Sequence, residues 1–126
     1  MIKVICASLV LMASMTAMAQ DEMEDGSKVV LPVEAQQCAL PSAPPPIPEA
    51  AIKEDLLKAQ KNVKQFQAEM EVYRTCINKD ADSGELSAGN QLAISNAHNY
   101  SVDMESRVAE MFNEAVRAYK ARQANN

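Results

Sequence analysis

Residues 51–78 read AIKEDLLKAQKNVKQFQAEMEVYRTCIN, and this stretch decides the fold. Its apolar residues recur at alternating spacings of four and three, which is the pattern of a long amphipathic helix with one continuous seam. The seam residues are Ile52, Leu56, Ala59, Val63, Phe66, Met70, Tyr73 and Ile77. The positions between them are mostly Lys, Glu, Gln and Asn, which favour helix and face water. The pattern predicts a helix over about residues 52–78.

A second helical pattern follows a polar turn at residues 79–85, in which Gly84 is the helix breaker. Ser87 is the expected N-cap, and the helix is predicted to continue to about residue 122. The apolar stripe consists of Ile94, Ala97, Ser101, Met104, Val108, Met111, Ala115 and Ala118, flanked by Leu92, Tyr100, Phe112 and Tyr119. The sequence therefore predicts an all-α fold in which residues 50–122 form an antiparallel, coiled-coil-like two-helix hairpin.

A proline-rich arm, residues 38–49, precedes the first helix and is expected to be stiff and extended. In an exported protein, Cys38 and Cys76 are expected to form one disulfide, either within a chain or between two chains. Closing it within one chain requires the arm to run back along a helix that starts late, near residue 52 or 53. In that arrangement Leu40 and Ile47 would cover apolar surface of the helices.

The first nineteen residues have the features of a secretory signal peptide. Lys3 gives a positive start, an uncharged apolar run follows, and Ala17-Met18-Ala19 supplies a cleavage site after Ala19. The apolar run is shorter than the about 20 residues that span a bilayer, so no membrane span is expected in the mature chain. Residues 20–37 begin with an acidic, weakly apolar stretch and are predicted to be a flexible acidic tail.

The composition argues against several kinds of chemistry. The chain has a net charge of −5, which argues against nucleic-acid binding. Asn78, Asp80 and Asp82 alternate as calcium ligands do, but Gly89 stands where the bidentate Glu of an EF-hand should be. His98 is the single histidine and has no neighbouring nucleophile or orienting carboxylate at helical spacing. We therefore expect no enzymatic activity, no metal and no cofactor.

A combination of motifs between residues 38 and 78 carries a resemblance. The motifs are Cys38, Ile47-Pro48, Ala59-Gln60-x-x-Val63-Lys64-x-Phe66 and Tyr73-x-x-Cys76. This order resembles a group of small exported proteins of Gram-negative proteobacteria, which have a Cys–Pro-rich arm followed by a helix ending in Tyr-x-x-Cys. The resemblance implies a periplasmic location, and it brings no catalytic residue with it.

These observations favour a non-enzymatic periplasmic binding or adaptor protein that docks to an envelope protein through a helix face. Arg117, Lys120 and Arg122, at the end of the second helix, are a candidate docking patch for an anionic partner. Their other role would be to complement the helix dipole. One alternative is a self-associating, disulfide-linked coiled coil. Another is a small thiol redox or metal-handling protein that uses Cys38 and Cys76.

Overall fold

The computed structural model describes residues 22–81 and 84–126, so the predicted signal peptide lies outside the described residues. The described chain is mostly helical, with α1 at Val33–Gln36, α2 at Lys53–Asn78 and α3 at Ala88–Ala124. Extended pairing within these ranges is limited to one isolated bridge, between Glu22 and Lys28. The prediction of a helical fold is confirmed.

Helix α2 begins late, as the geometry of the arm requires. Its N-cap is Ile52, which has no polar side chain. The carboxylate of Asp55 instead accepts a 3.0 Å hydrogen bond from the Ile52 N–H, so one exposed amide at the helix start is satisfied. Cys38 and Cys76 are bonded within the chain, with their Cα atoms 5.9 Å apart. The predicted disulfide is therefore confirmed in its intrachain form.

The start of α3 is capped by the residue that the sequence indicated. The hydroxyl of Ser87 accepts a 3.1 Å hydrogen bond from the Asn90 N–H, and the Asn90 side chain bonds back to the Ser87 N–H. This reciprocal arrangement satisfies two amides that the helix itself leaves without partners. Gly84, with φ of 73°, supplies the left-handed residue in the turn before it.

Contacts between α2 and α3 pair the two helices in opposite sequence order. Asn78 lies beside His98, Arg74 beside Glu105, and Ala51, next to the N-cap, beside Arg122. The buried core between the elements consists of Ala35, Phe66, Met70, Tyr73 and Ile77, with Leu31, Cys38, Ala97, Met104 and Val108 packed against it. The predicted seam of α2 is therefore buried from Leu56 onward, apart from the half-buried Val63, whereas Ile52 is exposed.

The predicted stripe of α3 holds only in part beyond Val108. Met111 and Ala118 are exposed, whereas Ala115 of the stripe and the flanking residues Phe112 and Tyr119 are half-buried. A straight α-helix has 3.6 residues per turn, so its inward face drifts away from a strict 3.5-residue repeat. The half-buried positions beyond Val108 therefore include residues that the sequence placed beside the stripe. Leu92 and Tyr100, predicted to widen the apolar face, are exposed as well.

The N-terminal segment differs from the flexible acidic tail predicted for residues 20–37. The hydroxyl of Ser27 accepts a 2.9 Å hydrogen bond from the Gly89 N–H, and the Val30 carbonyl accepts one of 2.7 Å from the Asn90 side chain. Ala35, in α1, is buried in the core. The reason is geometric, because α3 has 37 residues and α2 has 26, which leaves the start of α3 for this segment to cover.

Candidate docking surface

The proline-rich arm is fastened to the helices at both of its ends. The disulfide ties Cys38 to α2 near its C-terminus. At the other end, the Arg122 guanidinium donates hydrogen bonds of 3.0 Å to the Glu49 carbonyl and 2.8 Å to the Ala51 carbonyl. Among the described residues, the stretch 39–48 makes no hydrogen bond to α2 or α3. The arm therefore lies against the helices through apolar contacts between two fixed points.

One of these contacts closes a groove between the two long helices. Ile47 is half-buried in this groove, as predicted. Four apolar side chains of the helices line the groove with it. These are Ala59, Val63, Val108 and Met111. The space that remains is about 60 Å³, far below the roughly 300 to 1,000 Å³ of a small-molecule site. The groove is therefore a packing contact of the arm.

The sequence predicted that Leu40 would cover apolar surface of the helices, but its side chain is 43% exposed. The arm residues on either side of it, Ala39 and Pro41, line a shallow depression on the outside of α2 with Ala68 and Val72. Val72 is 70% exposed, the highest value among the large apolar side chains of the described chain. We call Ala39, Leu40, Pro41, Ala68 and Val72 the arm–α2 surface.

The disulfide fixes the shape of the arm–α2 surface. Cys76 follows Val72 by one helical turn, and Cys38 directly precedes Ala39. The covalent link therefore holds the arm against the same part of α2 that exposes Val72. Clusters of exposed apolar side chains on small proteins commonly mark interaction sites. The apolar side chains of this surface offer contact area and shape, and the polar side chains of Gln65 and Glu69 line the same depression.

A polar cluster joins α2 and α3. Arg74 forms a 2.7 Å ion pair with Glu105, and both side chains are largely buried. Ser101, which is fully buried, donates a 2.6 Å hydrogen bond to the His98 carbonyl and lies 3.5 Å from the Arg74 guanidinium. Groups of this kind fix how two helices align, because each would be left unpaired if the helices slipped.

His98 lies at the edge of this cluster. It has few of the neighbouring groups that a catalytic histidine uses. Its Nδ1 atom is 3.3 Å from the Asn78 side-chain nitrogen. With the amide as donor, Nδ1 accepts and the ring proton is on Nε2. Within the described ranges, no three His, Cys, Asp or Glu side chains come close enough together to hold a metal ion. Asp82, one of the calcium-like residues, lies outside the described ranges.

Tyr73 is the one core residue whose titration is shifted. Its side chain is buried in the core, and burial raises the pKa of its phenol because the phenolate would lose hydration. The neutral phenol is therefore the form that the fold accommodates. Its role is in packing between α2 and α3, away from the arm–α2 surface.

The three predicted docking residues have different surroundings. Arg122 donates hydrogen bonds to the Glu49 and Ala51 carbonyls, and Arg117 forms a 2.8 Å ion pair with Glu110. Lys120 is exposed, and it takes part in none of the ion pairs of the described chain. Residues 117 and 120 share one side of α3, whereas Arg122 faces the arm. The structure therefore does not bring the three side chains together into one patch.

Sequence reasoning missed the arm–α2 surface, although a signal for it was present. Ala68 and Val72 are apolar residues outside the predicted seam, on the side of the helix that faces water. An apolar residue on a water-facing side usually needs no explanation when it stands alone. The crossing of the arm beside Val72 turns these positions into a surface, and the path of the arm is not encoded in the helical repeat.

No family model, curated protein or solved structure matches this chain. The fold and its surfaces are therefore interpreted from their own chemistry. In the part of the chain that the structure describes, neither long helix has an apolar stretch sufficient to cross a bilayer.

Proposed function

We propose that this chain is a non-enzymatic periplasmic adaptor that docks to another envelope protein through the arm–α2 surface. The observation that carries the proposal is the 70% exposure of Val72 beside the arm residues Ala39 and Pro41, on a part of the molecule that a disulfide holds in place. An ordered apolar surface loses little conformational entropy on binding, so its burial contributes to affinity. Predicted export and the disulfide support the periplasm as the location.

The unit that presents this surface is, in our proposal, an antiparallel helical hairpin with coiled-coil-like packing. Two features support this interpretation, namely the opposite order of the contacts between α2 and α3 and the heptad spacing of the α2 seam. The Arg74–Glu105 pair would keep the hairpin in register. The arm would then act as a third, non-helical layer that completes one face of it.

Crosslinking in the native cell tests the proposal. A photoreactive amino acid replaces Leu40 or Val72, and the control position is Val102, an exposed valine on α3 outside the surface. We expect a discrete adduct with a second protein from positions 40 and 72 and none from position 102. Adducts of equal yield from all three positions, or none from position 72, would overturn the proposal.

A paired substitution sharpens the experiment. Val72→Asp places a charge on the docking surface, so it should abolish the adduct formed from position 40, while Val102→Asp should leave that adduct unchanged. Both residues are exposed, so neither substitution should alter helix content measured by circular dichroism. An adduct that contains two copies of this chain would favour the self-associating alternative over an adaptor.

A further inference from the structure

The outer face of the first half of α2 combines lysines with an exposed leucine. Lys53, Leu57, Lys61 and Lys64 follow one another at spacings of four, four and three, which places them on one side of the helix. All four are exposed, and this side lies opposite the buried Leu56, Ala59 and Phe66. We call these four residues the basic face.

Within the described ranges 22–81 and 84–126, the lysines of the basic face form no ion pair. The ion pairs of the described chain join Arg74 to Glu105, Arg107 to Asp103 and Arg117 to Glu110, and none of them includes a lysine. Leu57, within this face, is 57% exposed. The face therefore presents ammonium groups without an ion pair in the described chain, together with one large apolar side chain.

Charge is distributed unevenly along the molecule, although the whole chain is acidic. Residues 52–64 carry four lysines and two carboxylates, a net charge of +2. Residues 69–85 carry five carboxylates and two basic residues, a net charge of −3. The segment 22–34 also has a net charge of −3, and it lies at the start of α3, beside Gly89 and Asn90. An anionic surface is therefore attracted to one end of the molecule and repelled by the other.

We propose that the basic face binds the surface of an anionic phospholipid bilayer. Lysine ammonium groups pair with lipid phosphates, and Leu57 reaches the boundary between headgroups and acyl chains. Nucleic acid fits less well, because this face has no aromatic side chain to stack on bases and no arginine. This binding is additional to protein docking, and it would hold the neighbouring arm–α2 surface close to a membrane.

Flotation with lipid vesicles tests the proposal with the purified protein. We expect the protein to float with vesicles that contain phosphatidylglycerol, to remain behind with phosphatidylcholine alone, and to be released by high salt. Combining Lys53→Gln, Lys61→Gln and Lys64→Gln should weaken partitioning about a hundredfold, at about fivefold for each lysine. Leu57→Gln should weaken it further, because the apolar anchor is lost.

Matched controls separate this face from general charge effects. Lys28→Gln and Lys79→Gln together remove two lysine charges at the acidic end, where the triple variant removes three from the basic face, so they should leave partitioning unchanged. Equal loss in these controls, no loss in the triple variant or no loss in Leu57→Gln would overturn the proposal. Tighter binding to a DNA duplex than to the anionic vesicles would overturn it in favour of nucleic acid. None of these outcomes depends on the crosslinking experiment, so the two proposals can fail separately.

Discussion

At the residue scale, the pairing of Arg74 with Glu105 is the polar contact on which the alignment of α2 and α3 depends most. Their side chains are 19% and 25% exposed, so both charges have lost much of their hydration. The guanidinium also lies within reach of the buried Ser101 hydroxyl. Removing the arginine leaves a carboxylate and a hydroxyl with fewer partners in a partly dry environment.

We predict that Arg74→Ala lowers the free energy of unfolding by about 1 to 3 kcal/mol, as measured by urea denaturation. Arg107→Ala is the matched control, because Arg107 pairs with Asp103 at the surface and both side chains are more than half exposed. Its effect should stay within about 0.5 kcal/mol. Equal effects of the two substitutions would show that the Arg74 pair contributes no more than a surface pair.

Ionisation of Tyr73 makes the stability of the fold decrease at alkaline pH. Burial raises the pKa of its phenol in the folded state, so the unfolded chain ionises first as the pH rises. The stability contributed by the neutral phenol is complete below the unfolded pKa of about 10 and is lost as the pH rises through the higher folded value. Tyr73→Phe should therefore flatten the alkaline decrease in melting temperature. The exposed Tyr100, changed to Phe, is the control and should leave the decrease as it is.

At the scale of elements, much of α2 and less of α3 could be predicted from the sequence. The seam from Leu56 to Ile77 was predictable because one face of a helix buries apolar side chains at a regular spacing. In α3 the strict repeat holds only in part after Val108, since a straight helix keeps 3.6 residues per turn and its inward face drifts from a 3.5-residue repeat. The docking of residues 22–31 escaped prediction because it depends on polar contacts of Ser27 and Asn90, which leave no apolar period.

The N-terminal segment depends on Gly89 for its close approach to α3. A Cβ at this position would overlap the carbonyl of Lys28, and the Gly89 N–H donates to Ser27. In an open helix, Gly→Ala stabilises by about 1 kcal/mol. Here we expect Gly89→Ala to displace residues 22–31, so their amides should lose protection in hydrogen exchange while α3 keeps its own. Unchanged protection of residues 22–31 would contradict this packing.

The packing of the arm against the helices depends on the disulfide. The bond joins residues 38 positions apart, and removing it should lower the free energy of unfolding by about 4 kcal/mol. A dithiol reductant should therefore lower the melting temperature and expose the groove beneath Ile47. The double variant Cys38→Ser/Cys76→Ser is the control, since its melting temperature should already be low and should not respond to the reductant. A reductant without effect on the natural protein would show that the arm is held by other contacts.

At the scale of the whole molecule, the disulfide compensates for a small core. Chains of this length bury a limited fraction of their apolar surface, and a covalent link within the chain restricts the unfolded state. The same link fixes the arm–α2 surface, whose position depends on where the arm crosses α2. The cysteine pair was predictable from the sequence, but the surface beside it was not, because it arises from two segments about thirty residues apart.

The separation of basic and acidic residues is also a property of the whole molecule. The basic face and the acidic segments lie toward opposite ends, and the arm–α2 surface adjoins the basic face along α2. In our account, the basic face orients the molecule on a bilayer while the arm–α2 surface docks to a protein partner. Docking through the arm–α2 surface requires a single chain with its arm closed against its own α2.

The most direct test of this account is the intact mass of the protein recovered from its native envelope, measured without reduction after free thiols have been alkylated. We predict the mass of one chain that begins at Gln20, reduced by two hydrogens and carrying no label, because Cys38 and Cys76 are joined within the chain. A doubled mass would contradict the account in favour of a bridge between chains. Two labelled cysteines would show that the arm is not covalently closed and would make thiol chemistry the better explanation.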